Sequence, residues 1–224
     1  MNKPTYDMKK LLYLLLFIPL LFACSDDEEL PFYFADNGVT IKARSWVTVG
    51  TTANLNGETY TAVDLASLKE WINTGQDFSK VVTTLVTDTT DSQFAAIFNV
   101  SGVGFVPIKG IESWDVSNFN DVQGIFYSSM PVESDLSNWD TSNFTNISAG
   151  FVLDTINPNI NDWDVSNVTE MSMLFFSNNG EKYIEGMDLS GWDVSNVTNC
   201  NGFFGGITNW PESKKPNFTN CNPD

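Results

Sequence analysis

A thirteen-residue phrase recurs four times and restricts the fold of this chain more than anything else in it: WDVSNFNDVQGIF from Trp114, WDTSNFTNISAGF from Trp139, WDVSNVTEMSMLF from Trp163 and WDVSNVTNCNGFF from Trp192. With each Trp as position 0, position +2 is Val116, Thr141, Val165 and Val194, and position +5 is Phe119, Phe144, Val168 and Val197. Position +8 is Val122, Ile147, Met171 and Cys200, position +12 is Phe126, Phe151, Phe175 and Phe204, and position −3 is Ile111, Leu136, Ile160 and Leu189. A unit this short cannot bury six apolar positions by itself, so the copies are expected to stack and to share one core.

Within the phrase the apolar period changes. Positions 0 and +2 fit a short strand, with the Asp at +1 on its other face. Together with position −3 they match the L-x-x-L-x-L opening of a leucine-rich repeat. Positions +5, +8 and +12 are three and four apart, which is helical spacing. Asn120, Thr145, Thr169 and Thr198 at +6 are residue types that cap a helix by accepting from a free N–H of its first turn. Successive copies start 25, 24 and 29 residues apart, so the length differences fall in the connecting loops. The expected fold is α/β, a leucine-rich-repeat-like right-handed solenoid with one short strand and one short helix per 24–29-residue repeat, plus an N-terminal helical cap.

The remaining chain divides around these repeats. Residues 1–23 read as a lipoprotein signal peptide: Lys9 and Lys10 precede the apolar run LLYLLLFIPLLFA, which is interrupted by Pro19 and ends before Cys24. That run falls short of the roughly 20 apolar residues that span a bilayer and has the layout of a secretory signal. Its ending, LFAC, resembles a bacterial lipobox, which implies lipidation of Cys24. The acidic run Ser25, Asp26, Asp27, Glu28 and Glu29 resembles the surface-export signal of some Gram-negative lipoproteins; its plainer reading is a solvated tether. The expected location is the outer membrane, lipid-anchored and facing the cell exterior. Residues 24–53 read as an acidic tether and linker.

Residues 54–80 read as a cap over the end of the stack. Asn56-Gly57 predicts a tight hairpin turn, and Asp64 predicts the start of a helix that carries Leu65, Leu68, Trp71 and Ile72 on one face and ends at Gly75. Residues 81–224 hold the repeats. A degenerate copy over 81–98 keeps Val86, Phe94 and Phe98 at 0, +8 and +12 but has Asp91 at +5; clear repeats begin at about 111, 136, 160 and 189. A truncated terminal repeat spans 207–221, with Ile207 and Trp210 at −3 and 0 and PESKKP in place of DVS. Allowing for that insertion, Cys221 falls one copy beyond Cys200. Neighbouring strands lie about 4.8 Å apart, within the Cα separation of a disulfide, so Cys200 is read either as bonded to Cys221 or as a core substitute for Met171.

These phrases resemble the BspA-like leucine-rich-repeat surface proteins whose copies read close to WDVSNVTDMSGMF, matching at Trp, Asp, Ser, Asn and the final Phe. The segment NGETYTAVDLASLKEWINTGQDFSKVVTT, from Asn56, resembles the stretch that precedes these repeats in that family. The resemblance implies a surface or secreted bacterial protein. Some family members are implicated in adhesion, and the family defines no shared catalytic residue.

The chain has no His, which removes the commonest general base and metal ligand. It also lacks a GxSxG elbow, a P-loop and a CxxC motif. A formal net charge of −17 disfavours nucleic acid and anionic membrane surfaces. No enzyme activity and no cofactor or metal are expected. The repeated Asp at +1, namely Asp115, Asp140, Asp164 and Asp193, has two readings. It either closes a turn with Ser at +3 and Asn at +4, or forms a stripe that binds a divalent cation, sugar hydroxyls or a basic protein. The Trp and Phe columns read as core, whereas Tyr127 and Tyr183 fall outside the repeating positions and are candidate exposed contacts. The expected function is a cell-surface-anchored, non-enzymatic protein-binding or adhesion module. The alternatives are a carbohydrate-binding accessory surface lipoprotein and a structural interaction component of the envelope. The partner would be a protein or glycan ligand at the cell surface, with membrane contact through the lipid anchor only and no nucleic acid.

Overall fold

A computed structural model of the chain describes residues 29–89, 97–98, 108–126, 132–152, 158–176, 186–207 and 209–223. The N-terminal part forms two small sheets. β1 (Phe32–Phe34) and β2 (Ile41–Ala43) pair antiparallel. β3 (Thr52–Leu55) and β4 (Glu58–Ala62) form a hairpin through Asn56 and Gly57, both at positive φ as such a turn requires. β5 (Val81–Val82) adds to β4 in parallel. Phe32, Ile41, Ala43, Val47, Leu55, Ala62 and Val82 bury a small core between these sheets.

Residues 29–53 are therefore not a linker throughout. In β2, Ile41 and Ala43 are buried on either side of the half-buried Lys42, and the sheet docks on the repeats. The Ile41 N–H donates to the Ser113 carbonyl (2.8 Å), and the Asn37 amide donates to the Asn138 carbonyl (3.2 Å).

Helix α1 (Leu65–Asn73) starts at Asp64, whose carboxylate accepts the Ser67 N–H at 2.9 Å while the Ser67 hydroxyl accepts the Asp64 N–H at 3.0 Å. This reciprocal cap satisfies two donors that a helix start otherwise leaves free. Leu68 and Ile72 are buried in the main core, which also holds Val81 and Trp114. A short 3-10 turn (Phe78–Lys80) leads into β5. Among the described residues, no helix is long and apolar enough to cross a membrane.

The repeats depart from expectation. Among the described residues the four clear copies contain no helix, and the strands within them are β6 (Phe151–Val152) and β7 (Phe175–Phe176), two residues each, while the terminal copy holds a short 3-10 turn (Glu212–Lys214). The architecture is a set of small antiparallel and mixed sheets with a single α-helix, not a leucine-rich-repeat right-handed solenoid with a strand and a helix in every repeat. Backbone hydrogen bonds give the reason. Positions −3 to 0 form a tight turn, as in Trp139 N–H to the Leu136 carbonyl (3.1 Å), and positions +2 to +5 form another, as in Phe144 N–H to the Thr141 carbonyl (2.9 Å). Beyond +5, the N–H groups that a helix would bond internally reach the neighbouring copy. Ile147, Ala149 and Phe151 donate to the carbonyls of Glu170, Ser172 and Leu174, and Met171, Met173 and Phe175 donate to those of Asn199, Asn201 and Phe203, all at 2.8–3.1 Å. Threonines at +6 accordingly cap nothing. Their N–H groups join the same ladder, Thr169 to the Thr145 carbonyl and Thr198 to the Thr169 carbonyl, both at 2.9 Å.

The side chains between copies are columnar. Phe98, Phe126, Phe151, Phe175 and Phe203 follow one another at centroid distances of 5.9, 5.1, 5.8 and 5.2 Å. In the fourth copy Phe203, at +11, takes the buried place, while Phe204 is only partly buried. Each buried indole N–H finds a carbonyl: Trp114 that of Phe78, Trp139 that of Ile111 and Trp163 that of Leu136, at 2.9–3.0 Å. The Trp114 contact also corrects the register of the degenerate copy. Val81 occupies position 0 and Val86 position +5, since Val86 N–H donates to the Thr83 carbonyl (2.8 Å) as +5 does to +2 elsewhere. Asp91 and Phe94 lie outside the described residues.

Candidate functional site

The repeated polar triplet closes the turn from +1 to +4 in each clear copy. Asp at +1 accepts from Ser at +3 in every clear copy: the backbone N–H of Ser117, Ser142, Ser166 and Ser195 lies 3.0–3.3 Å from its Asp carboxylate. In three copies the serine hydroxyl adds a bond of 2.6 Å. This is an Asx turn, in which a carboxylate replaces a backbone carbonyl to close the loop. These donors hold the Asp164 carboxyl below the usual carboxylate value, the Ser166 hydroxyl contributing most, while burial and the neighbouring charge of Asp193 oppose the effect; the Asp193 carboxyl is lowered likewise by Ser195.

Asn at +4 works between copies rather than within its own turn. Its amide donates to the backbone carbonyl of residue +3 in the preceding copy: Asn118 to Thr84, Asn143 to Ser117, Asn167 to Ser142 and Asn196 to Ser166, at 2.7–2.9 Å. The series closes with Asn220 on the Ser195 carbonyl at 2.6 Å. In the terminal copy Asn220 therefore takes the +4 role that the sequence alignment gives to Asn217. The recurrence of Asn at +4 in all four clear copies was the signal for this ladder in the sequence.

The four candidate Asp residues do not form a uniform stripe. Asp140, Asp164 and Asp193 are exposed, whereas Asp115 is buried at 2% exposure. The docked β1–β2 hairpin covers it: Lys42 Nζ lies 3.5 Å from Asp115 Oδ1, and the Thr84 hydroxyl donates to Oδ2 at 2.7 Å. The exposed acidic face thus begins at the second clear copy. Among the described residues no group of three or more His, Cys, Asp or Glu is placed to hold a metal ion.

Cys200 and Cys221 are joined by a disulfide with Cα atoms 5.8 Å apart. Cys24, Ser25, Asp26, Asp27 and Glu28 lie outside the described residues, as do Tyr127 and Tyr183. Glu29 is described, and its carboxylate pairs with Arg44 at 2.7 Å. One exposed aromatic went unnoticed in the sequence because it sits in the segment read as linker: Trp46, which lines a groove of about 500 Å³ with Glu29, Leu30 and Pro31.

No curated protein and no solved structure matches the chain. A family match covers residues 92–215, more than half of the 224-residue chain and all four clear copies. The chain belongs to that family, which is described as Mycoplasma protein of unknown function, DUF285.

Proposed function

We propose that the chain is a lipoprotein of a bacterial outer membrane, anchored through Cys24 and facing the cell exterior, whose repeats act as a non-enzymatic binding or adhesion module. The observation that carries this reading is the succession of Lys9-Lys10, the run LLYLLLFIPLLFA, Cys24 and the acidic residues to Glu29. The likeness of the repeated phrase to BspA-like surface proteins supports it. So does the chemistry of the repeat face. Asp140, Asp164 and Asp193 present negative charge at a regular interval, on turns held in place by their own Ser and by the Asn ladder. Such an array complements a basic protein surface, where charge matching governs encounter and register.

Protease treatment of intact cells tests the address. Wild type is expected to be shaved, and Cys24→Ala to be lost from the membrane fraction. A form with Asp26, Asp27, Glu28 and Glu29 neutralised is expected to stay anchored but protected. Wild type that resists protease until the envelope is opened would sink the outward-facing reading and direct the search to an envelope partner. For the shaved protein, a binding screen against host proteins and glycans follows, with Asp140, Asp164 and Asp193 changed together to Asn. Loss of a protein ligand in that variant supports the module. Glycan binding that survives the change favours the carbohydrate-binding alternative.

A further inference from the structure

We infer that the groove at Trp46 rests on the bilayer that holds the lipid anchor, so that the folded body meets the membrane through Leu30, Pro31 and Trp46; this rests on lipidation of Cys24 as proposed above. Five large apolar side chains are exposed among the described residues, namely Leu30, Phe34, Trp46, Val49 and Met173, and four of them fall between residues 30 and 49. Trp46 and Leu30 are each 55% exposed and line the same groove. The other described indoles are buried or partly buried. An exposed Trp beside an exposed Leu suits the membrane–water interface, where an amphipathic ring has one apolar and one wet side.

Chain length settles which surface lies nearby. Five residues, Ser25 to Glu29, separate Cys24 from Leu30, so the reach between them is at most about 20 Å. The groove cannot leave the vicinity of an anchor at Cys24. Its rim is also fixed to the fold, since the Arg44 N–H donates to the Pro31 carbonyl at 2.9 Å and the Arg44 guanidinium pairs with Glu29 at 2.7 Å. That pair neutralises the carboxylate lining the groove, and the guanidinium lies 4.5 Å from the centre of the Tyr33 ring. The adjoining sequence Asp26-Asp27-Glu28 is acidic, so the contact suits zwitterionic rather than anionic headgroups. One Trp and one Leu bind weakly on their own; a short tether makes the contact intramolecular and raises its effective concentration.

The test uses the lipidated mature protein in phosphatidylcholine vesicles with and without brominated acyl chains, beside the Cys24→Ala form free in solution. Trp fluorescence of the lipidated protein is expected to be blue-shifted and quenched by brominated lipid, and Trp46→Phe to lose the quenchable component while still floating with vesicles. Lipid mass on Cys24 and flotation without any quenching of Trp46 would overturn the inference and leave the anchor intact. Absence of lipid on Cys24 removes both. A Trp46 signal that ignores brominated lipid but shifts with malto- or chito-oligosaccharides identifies a glycan subsite instead, and the membrane contact falls.

Discussion

Position +10 of the repeat shows how much a single backbone angle decides. Gly124, Ala149, Met173 and Gly202 all stand at positive φ, between 51° and 67°, a conformation that strains any residue with a Cβ. Ala149→Gly is therefore expected to stabilise the fold by about 0.5 kcal/mol, once the greater chain freedom of glycine is subtracted, which a urea melt can resolve. Gly110 presents the opposite case. Its φ is +78°, and a Cβ there would stand 2.2 Å from Ser79 Cβ and 3.2 Å from its Cα. Gly110→Ala should cost at least about 2 kcal/mol through strain and overpacking. Adding Ser79→Gly should recover the steric share only, and full recovery would show that the backbone angle carries no strain.

The carboxylates of the repeat turns belong to the same scale. Asp164 and Asp193 titrate below the ordinary value of 3.8 because serine donors favour their charged form. A depressed folded pKa stabilises above the unfolded pKa, and that contribution is lost as pH falls through the folded value. Ser166→Ala, which removes one such donor from Asp164, should therefore melt below wild type at neutral pH, with the gap closing below about pH 4. A gap that is constant with pH would mean that the hydroxyl acts by packing alone.

At the scale of elements, the aromatic column outweighs the capped helix. Phe151 is buried between Phe126 and Phe175, at 5.1 and 5.8 Å. Phe151→Ala should cost about 3–5 kcal/mol by leaving a cavity that flanking rings cannot fill, against about 1 kcal/mol for Asp64→Ala at the start of α1. Thermal melts of both variants read the difference directly. The column was legible in the sequence because Trp, the aliphatic at −3 and Phe recur at fixed offsets, and Asn56-Gly57 and Asp64 marked the hairpin and the helix start. The local structure of the repeats was not legible. Apolar residues at +5, +8 and +12 have helical spacing whether the intervening N–H groups bond within the copy or across to the next one. The corrective signal was slight: Gly at +10 in two copies, where a left-handed residue interrupts any right-handed helix. The β1–β2 sheet was missed for a different reason, since a three-residue strand such as FYF or IKA shows too little alternation to separate from a linker.

For the molecule as a whole, the ladder makes cohesion a matter of neighbours. Each copy's N–H groups and its +4 Asn bond the copy before or after it. The two ends are closed differently. The N-terminal end is covered by α1 and by the β1–β2 hairpin that buries Asp115. At the other end lies a tail held by the disulfide to Cys200, by the Asn220 amide on the Ser195 carbonyl, by Phe203 N–H on the Pro223 carbonyl (3.1 Å), and by Phe218 against Phe203 at 5.0 Å. Three of these contacts are noncovalent and lie at the last copy. Reduction of Cys200–Cys221 frees a link across 21 residues and should lower stability by about 3 kcal/mol. Its effect should also be local. In hydrogen exchange read by mass spectrometry, reduction is expected to deprotect 186–223 first and leave 29–89 at its oxidised level, because each opening passes only to the adjoining copy. Equal loss of protection at both ends would show instead that the copies unfold as one unit, with the disulfide stabilising the entire stack rather than its terminal edge.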